Sequence, residues 1–363
     1  MSIQTLTALY INTCLLTVGL ATAQVPTLTY ARSGQAITAS GINLSSNDVV
    51  SDPTVIYDNG RYKKWYTAVT GAYTAQQVMG IAYAESVDGH VWTPRLNVQT
   101  GEPNLVLGPT TGKWDAKGVE TASVVKTPNG RYWMYYSGDL ANGSNTWGIG
   151  LAQSLDGITW TKVGTGPVLK GRGKWEGPFF DGAEMVGGVC EPSVVYDAGK
   201  GIFRMWYAAL GIRSEVIAYR LGYATSVDGI RWTAQANPVL EPGVGDAWDN
   251  LVVSQVSVAQ DPKTGFFHLF YFGASGDDYL QADGLGAASI AGDIGYGFST
   301  DGINWQKAPA PVVSPVPNTW EHWTVAGPAA LIQNDTIRLW YHASASHETF
   351  SGHFGLVTSQ IPR

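Results

Sequence analysis

The sequence predicts an all-β protein built from repeated units of short antiparallel strands. One turn motif, Ser-x-Asp-Gly with a Trp three residues after the Gly, occurs four times, at intervals of 68, 72 and 73 residues. A fixed period of this length is typical of a repeated sheet. The composition agrees, because 44 Gly, 14 Trp and 18 Tyr among 363 residues, with only 14% charged residues, describe a turn-rich and aromatic-rich chain. The motif copies begin at Ser86, Ser154, Ser226 and Ser299.

Each motif copy is predicted to be a hairpin turn. Asp-Gly between two β-type runs is the strongest short hairpin signal, since Gly adopts positive φ without a Cβ penalty. The Ser hydroxyl and the Asp carboxylate can bond to nearby backbone N–H groups and fix the turn. We expect the Trp that follows to pack against the neighbouring sheet, so the motif is predicted to be architectural.

A second pattern precedes each turn and gives five units. A short apolar strand is followed by a tight turn and then by an aromatic-rich strand, and these first strands begin at Asp52, Glu120, Glu191, Gln255 and Gly327. Four antiparallel strands repeated five times around an axis form a five-bladed β-propeller. The fifth unit lacks a fourth strand. We expect the segment near Leu28 to Tyr30 to supply it and to close the ring.

The chain is predicted to carry a signal peptide and one domain. In residues 1–23 an apolar run ends at Leu20 and is followed by Ala21-Thr22-Ala23, a small-x-small cleavage pattern. Residues 24–363 would then form a single propeller domain, secreted or periplasmic and monomeric. A net charge of −7 without a basic cluster argues against nucleic-acid and anionic-membrane partners.

The candidate catalytic residues are the carboxylates Asp52, Glu120 and Glu191. In a propeller the innermost strands line the central channel, so their first residues meet at one mouth of the axis. Glu120 lies one residue before the strict register, which Thr121 occupies. Crowded carboxylates raise one another's pKa, which provides one protonated acid and one ionised base at neutral pH. An acid at a strand start is also a common turn residue, so a structural role for any one of them stays open.

Loops at the same mouth, and Gln255 at the start of its inner strand, supply candidate sugar-binding residues. They are Asp139, Trp147, Arg213, Tyr219, Gln255, Asp278 and His342. Two further histidines, His347 and His353, follow His342 in the fifth unit. Their spacing is not that of a zinc site, so we predict no metal ion in the site.

The sequence resembles the superfamily of five-bladed propeller glycosidases, which includes arabinanases, β-xylosidases, arabinofuranosidases, invertases and levansucrases. The resemblance covers residues 25–360 and is greatest to the arabinanase/xylosidase branch. It rests on Asp52-Pro53, Glu191-Pro192, Met205-Trp206-Tyr207 and the four turn motifs. It implies that Asp52 is the base or nucleophile, that Glu120 tunes and orients, and that Glu191 is the general acid. It further implies an inverting hydrolysis of arabinan- or xylan-type oligo- or polysaccharides, with no required cofactor and a structural calcium ion on the axis as an open possibility.

Other functions stay open at this point. A carbohydrate-binding propeller without activity is one, because fold does not fix function and two units carry no acid. A fructosidase is less favoured, since Ser51-Asp52-Pro53-Thr54 stands where invertases have their own motif. A sialidase is disfavoured because the Gly directly follows the Asp in all four turns. The sequence leaves the sugar, the linkage, endo or exo action, and hydrolysis or phosphorolysis undecided.

Overall fold

The computed structural model describes residues 25–35, 50–71, 77–99, 101–139, 145–276, 291–346 and 353–362. The predicted signal peptide, residues 1–23, lies outside these ranges. The all-β class is confirmed, with one short 3-10 helix at Lys174–Glu176. Within the described residues no helix is long and apolar enough to cross a membrane.

The strands are short and follow one another through tight turns. In chain order they are β1 (Ala31–Gln35), β2 (Val50–Asp58), β3 (Arg61–Thr70), β4 (Val78–Ser86), β5 (Thr93–Pro94), β6 (Val119–Lys126), β7 (Tyr132–Asp139), β8 (Asn145–Ser154), β9 (Thr161–Lys162), β10 (Leu169–Lys170), β11 (Phe179–Asp181), β12 (Glu184–Asp197), β13 (Ile202–Arg213), β14 (Val216–Ser226), β15 (Thr233–Ala234), β16 (Val252–Gln260), β17 (Phe267–Ala274), β18 (Asp293–Ser299), β19 (Gln306–Lys307), β20 (Thr324–Gln333), β21 (Thr336–Ser344) and β22 (His353–Gln360).

These strands form five antiparallel series, each starting from an inner strand. The series are β2–β5, β6–β9, β12–β15, β16–β19, and β20–β22 with β1. In the fifth series β1 pairs antiparallel with β22, so a strand from the N-terminal part of the chain takes the fourth place. This strand, Ala31–Gln35, directly follows the segment Leu28 to Tyr30 that was expected to supply it. The second and third series belong to one ten-stranded sheet, because β12 also pairs in parallel with β8.

The Ser-x-Asp-Gly motifs are the predicted hairpin turns between the third and fourth strands. In the first copy the hydroxyl of Ser86 donates to Asp88 Oδ1 at 2.9 Å and accepts the N–H of Gly89 at 2.9 Å. The same carboxylate oxygen accepts two further backbone N–H groups, and the Gly has a φ of 78°. The other three copies repeat these contacts. The turn is therefore fixed by its own side chains, as the motif predicts.

The same turns join neighbouring series, which the sequence alone did not reveal. An aromatic side chain on a second strand donates a hydrogen bond to the Gly carbonyl of the adjacent series. The pairs are Trp65 to Gly157, Tyr135 to Gly229, Trp206 to Gly302 and Trp340 to Gly89, at 2.7–2.8 Å. The last pair joins the fifth series to the first. The fourth series has Phe270 at this position, which has no donor and packs edge-to-face on Tyr30 with ring centroids 6.3 Å apart.

Each motif Trp packs on the aromatic side chain that makes this hydrogen bond. The pairs, with centroids 5.5–6.2 Å apart and nearly perpendicular rings, are Trp92 with Trp340, Trp160 with Trp65, Trp232 with Tyr135, and Trp305 with Trp206. Edge-to-face pairs of this kind add to the stability that burial provides. The expectation that the motif Trp packs against the neighbouring sheet is confirmed.

Lys64 is a buried cation at a position that is apolar in the other series. The equivalent residues are Met134, Met205, Leu269 and Leu339. The Lys64 side chain is fully buried, its Nζ has no hydrogen-bond partner in the part of the chain that the structure describes, and it lies 4.2 Å and 4.0 Å from the ring centroids of Trp92 and Phe354. Burial lowers its pKa well below the ordinary value.

We expect Lys64→Met to stabilise the protein. Removing an unpaired polar group from the interior should raise the free energy of unfolding at neutral pH by roughly 2 kcal/mol. Unfolded lysine holds its proton up to about pH 10.4, whereas folded Lys64 loses it at lower pH. The unfolded chain therefore binds more protons, and the penalty in the wild type shrinks as pH rises toward that value.

Urea unfolding between pH 6 and pH 10 checks this expectation, with Lys200→Met at an exposed position as the control. The gap between wild type and Lys64→Met should narrow as pH rises. A destabilised variant, or a gap that does not change with pH, would contradict it.

Candidate active site

Every inner strand carries a β-bulge, and the bulged residue has a left-handed backbone. The register of β2, β6, β12, β16 and β20 shifts at this point. The bulged residues and their φ angles are Asp52 at 47°, Thr121 at 46°, Glu191 at 52°, Gln255 at 45° and Gly327 at 55°. Left-handed backbone is costly for residues other than Gly, and such strain clusters at functional sites.

The backbone N–H of each bulged residue donates to a side chain of the preceding series. The five bonds run from Asp52 to His342 Nδ1 (3.1 Å), Thr121 to Thr67 Oγ1 (2.9 Å), Glu191 to Ser137 Oγ (2.7 Å), Gln255 to Glu191 Oε2 (2.6 Å) and Gly327 to Gln255 Oε1 (2.8 Å). The first of them joins series one to series five. The five bulges therefore surround one point.

A cavity of about 30 Å³ lies at that point. Its lining includes all five bulged residues. The inner strands also line a second cavity, of about 340 Å³. The structure thus brings Asp52, Glu191 and Gln255 around one small space, as the strand register predicts.

Glu191 has the properties of a general acid. Burial and the charge of Asp52 raise its pKa to about 8, although the N–H of Gln255 acts in the opposite direction by stabilising the carboxylate. Most of the Glu191 population is therefore protonated at neutral pH. Such a group can donate a proton to a leaving oxygen.

Asp52 has an oxygen that can accept a proton. Its Oδ2 accepts the hydroxyl of Ser51 at 2.7 Å, whereas its buried Oδ1 has no hydrogen-bond partner among the described residues. His342 Nδ1 lies 3.7 Å from Oδ1. That nitrogen accepts the Asp52 N–H, and burial lowers the pKa of His342, so the imidazole is neutral with its proton on Nε2. His342 therefore orients Asp52 without adding a positive charge.

Because Gly327 has no side chain, His342 has room to lie beside Asp52. A Cβ at this position would lie 2.4 Å from His342 Nδ1 and 3.0 Å from Asp52 Oδ1. Because such contacts are closer than packed atoms allow, only Gly fits here. This accounts for the absence of an acid in the fifth series at the position that Asp52 and Glu191 occupy in theirs.

Glu120 is out of register in its backbone but belongs to the acid cluster through its side chain. It pairs with Ser137, and the bulge follows at Thr121, as in the other series. Burial and, when they are ionised, the carboxylates of Asp139, Asp52 and Glu191 raise the pKa of Glu120 well above its ordinary value. This environment favours the neutral form of Glu120.

Asp139, Trp147 and Tyr219 border this cluster. The Trp147 side chain hydrogen-bonds to the Asp139 carboxylate, whose pKa is raised by burial although Lys117 acts in the opposite direction. Asp139 Oδ1 is buried without a hydrogen-bond partner among the described residues. Burial raises the pKa of Tyr219 well above its ordinary value, and the nearby carboxyl groups of Glu191 and Glu120 contribute when they are ionised. These three side chains thus lie within electrostatic or hydrogen-bonding range of the acids.

The remaining candidates lie elsewhere or outside the described residues. Arg213 ends β13 and forms an ion pair with Glu241. Asp278 and His347 fall outside the described ranges. His353 contacts Trp320 edge-to-face at 6.0 Å. Within the described part of the chain no group of three or more His, Cys, Asp and Glu side chains is placed to hold a metal ion.

The sequence reasoning missed two residues that contact the acids. Ser137 accepts the N–H of Glu191, and it stands two residues after the aromatic Tyr135, the place that His342 holds after Trp340. Reading that position in all five series would have found it. Cys190 is buried beside the acids, and burial raises the pKa of its thiol well above the ordinary value.

No protein-family model matches this chain, but curated sequence relatives share part of it. An uncharacterised protein of Mycobacterium tuberculosis is 27% identical over 257 residues, which are 69% of this chain and 71% of the relative. The extracellular endo-α-(1→5)-L-arabinanase 1 of Bacillus subtilis is 32% identical over 114 residues, 30% of this chain and 31% of the relative. The arabinanase likeness supports the predicted resemblance to the arabinanase/xylosidase branch.

Solved structures of glycoside hydrolases have the same fold over most of the chain. One glycoside hydrolase superposes with a TM-score of 0.66 at 18% identity, covering 88% of this chain and 90% of its own. A thermostable family-43 glycoside hydrolase gives 0.61 at 15% identity, covering 88% and 92%. A member of the GH130 family, described as mannoside phosphorylases that contain glycoside hydrolases targeting β-1,2 mannosidic linkages, gives 0.58 at 18% identity, covering 85% and 84%. The protein therefore has the all-β propeller fold of these glycoside hydrolases.

Proposed function

We propose that the protein is a glycoside hydrolase in which Asp52 activates water and Glu191 protonates the leaving oxygen. The observation that carries this proposal is that Asp52 and Glu191 line one cavity while their carboxyl groups have different hydrogen-bond environments. Glu191 holds its proton to about pH 8, while Asp52 presents an oxygen without a hydrogen-bond partner among the described residues. Two carboxyl groups whose environments separate their roles are the usual machinery of glycoside hydrolysis.

The proposed reaction is a single displacement with inversion. Glu191 donates its proton to the glycosidic oxygen as the bond to the anomeric carbon breaks. Asp52 accepts a proton from the water that attacks the opposite face of the sugar, and its negative charge stabilises the oxocarbenium-like transition state. The cavity of about 30 Å³ beside both residues is large enough for a water molecule.

The surrounding residues are proposed to bind the sugar. In its neutral form, Glu120 would donate a hydrogen bond to a sugar hydroxyl. The charge that raises the pKa of Glu191 comes from Asp52, so tuning of the acid falls to Asp52 rather than to Glu120. Asp139 Oδ1 would accept from another sugar hydroxyl, and Trp147 and Tyr219 would form the adjacent wall.

We further propose that the five strand series are the blades of a closed five-bladed propeller. The hydrogen bonds from Trp340 to Gly89 and from Asp52 to His342 support closure, since both join the first and fifth series. The arabinanase relative favours arabinan- or xylan-type substrates. A secreted or periplasmic monomer remains our proposal for location and assembly.

Product analysis of the wild type tests the function. We expect hydrolysis of debranched arabinan, of nitrophenyl α-L-arabinofuranoside or of nitrophenyl β-D-xyloside, with the inverted anomer appearing first in the ¹H NMR spectrum. If a sugar 1-phosphate forms, and only when inorganic phosphate is added, the reaction is phosphorolysis rather than hydrolysis. Binding of these glycans without turnover would instead favour a carbohydrate-binding propeller and would contradict the proposal.

A further inference from the structure

The carboxyl of Glu191 is held by a backbone group of the next strand series. Gln255 lies in the bulge of β16, where its N–H is not used by the β16–β17 ladder. That N–H donates to Glu191 Oε2 at 2.6 Å. The oxygen that faces a backbone N–H at this distance acts as the acceptor, so the proton of neutral Glu191 is on Oε1.

One position on the second strand of each series explains why the Gln255 N–H bonds to Glu191. In series one and two the equivalent N–H of the next bulge is accepted by a hydroxyl, that of Thr67 or Ser137. Ala208 occupies the same register position in series three, pairing with Cys190 as Ser137 pairs with Glu120. Because fully buried Ala208 offers no acceptor, the Gln255 N–H is satisfied by the carboxyl of Glu191 instead.

The fourth series follows the same rule. Its equivalent residue is Phe272, which pairs with Ser254 and has no acceptor. There the side chain of the bulged residue, Gln255, accepts the N–H of Gly327 at 2.8 Å. The side chain of a bulged residue thus accepts the N–H of the next bulged residue only where the second strand of its series supplies no side-chain acceptor.

We propose that the Gln255 N–H is the positioning group of the general acid, and that Ala208 makes this possible by leaving the N–H to Glu191. The inference rests on the proposed function. By occupying Oε2, the N–H leaves Oε1 to carry the transferable proton. When the Oε1–H bond breaks and the leaving oxygen takes the proton, the bond pair stays on the carboxylate, and the N–H stabilises the developing charge.

The amide proton of Gln255 reports this contact without any substrate. In the ¹H,¹⁵N NMR spectrum of the wild type we expect its signal to move downfield as pH rises, with a midpoint near the Glu191 pKa of about 8. The same titration should be absent in Glu191→Gln. A Gln255 signal that does not titrate in the wild type, or that titrates equally in Glu191→Gln, would overturn the inference.

The variant Ala208→Ser offers the N–H a competing acceptor, as Ser137 does one series earlier. We expect the Gln255 titration to disappear, kcat to fall about tenfold with little change in KM, and the alkaline midpoint of activity to rise by about one pH unit, because the carboxylate loses a stabilising hydrogen bond. Ala208→Gly is the matched control, since it adds no hydroxyl and should keep the titration.

The two proposals fail in different ways. A wild type that cleaves no glycoside removes the proposed function, while the Gln255 titration still decides the contact. Glu191-dependent hydrolysis with an Ala208→Ser variant that keeps the wild-type titration and midpoint would remove the positioning role alone. If Ala208→Ser does not fold, the wild type and Glu191→Gln spectra still give the answer.

Discussion

Asp52→Asn is expected to reduce kcat/KM by about 10⁴-fold, at the upper end of what a positioned base contributes. The amide cannot take the proton of the attacking water or stabilise the positive charge that develops on the sugar ring. Folding should be retained, because Asn is among the residues that tolerate the left-handed backbone found at this position. Initial rates on a glycoside that the wild type cleaves, with circular dichroism as a folding check, measure the effect. The loss should not depend on the leaving group.

Glu120→Gln is the matched control for this variant. Burial and the neighbouring carboxylates raise the pKa of Glu120 and favour its neutral form, which a neutral amide resembles in charge. We therefore expect a loss of about tenfold or less, in the range for one hydrogen bond to substrate. Equal losses in the two variants would mean that Asp52 has no distinct role as base, and that result would refute the assignment.

Glu191→Gln is expected to have an effect that depends on the leaving group. For a natural linkage, whose leaving alcohol needs a proton, kcat/KM should fall by about 10²–10³-fold, the contribution of a general acid. For a nitrophenyl glycoside, whose leaving group departs as a stable anion, the loss should be much smaller. Parallel assays of one oligosaccharide and one nitrophenyl glycoside with the same enzyme preparation measure both numbers.

The variant keeps the local structure because Gln can also accept the N–H of Gln255 through its carbonyl oxygen. A loss that is the same for both substrates would indicate that Glu191 acts in binding or in folding rather than as an acid. Such a result would shift the acid role to another carboxyl group of the cluster.

The fold could be predicted from the sequence because each repeat contains a motif that marks the position of its strands. The Ser-x-Asp-Gly turns are local structures that their side chains fix, so their pattern in the chain predicts their geometry. The bonds from Trp65 and Trp340 to turns of neighbouring series depend on how the series pack. No pattern within a single unit contains that information, and these contacts therefore appeared only in three dimensions.

The site was predictable in part for the same reason. The register identified the positions of Asp52 and Glu191 and marked Glu120 as displaced, and the structure places Thr121 at the bulge. The Glu120 side chain is long enough to place its carboxyl group in the cluster. Strand register does not predict how far a side chain extends. The roles of Ser137 and Ala208 depend on whether a side chain can accept the N–H of the next bulged residue. Ser137 provides such an acceptor and Ala208 does not.

The alkaline limb of the pH–rate profile tests the central claim most directly. Activity requires protonated Glu191, so kcat/KM on an oligosaccharide should fall as pH rises through the Glu191 pKa of about 8. In Glu191→Gln this limb should be absent from the residual rate. In Asp52→Asn it should move to lower pH, because the charge that raises the Glu191 pKa is removed. An alkaline limb near pH 8 that persists unchanged in Glu191→Gln would show that another group supplies the proton and would contradict the account.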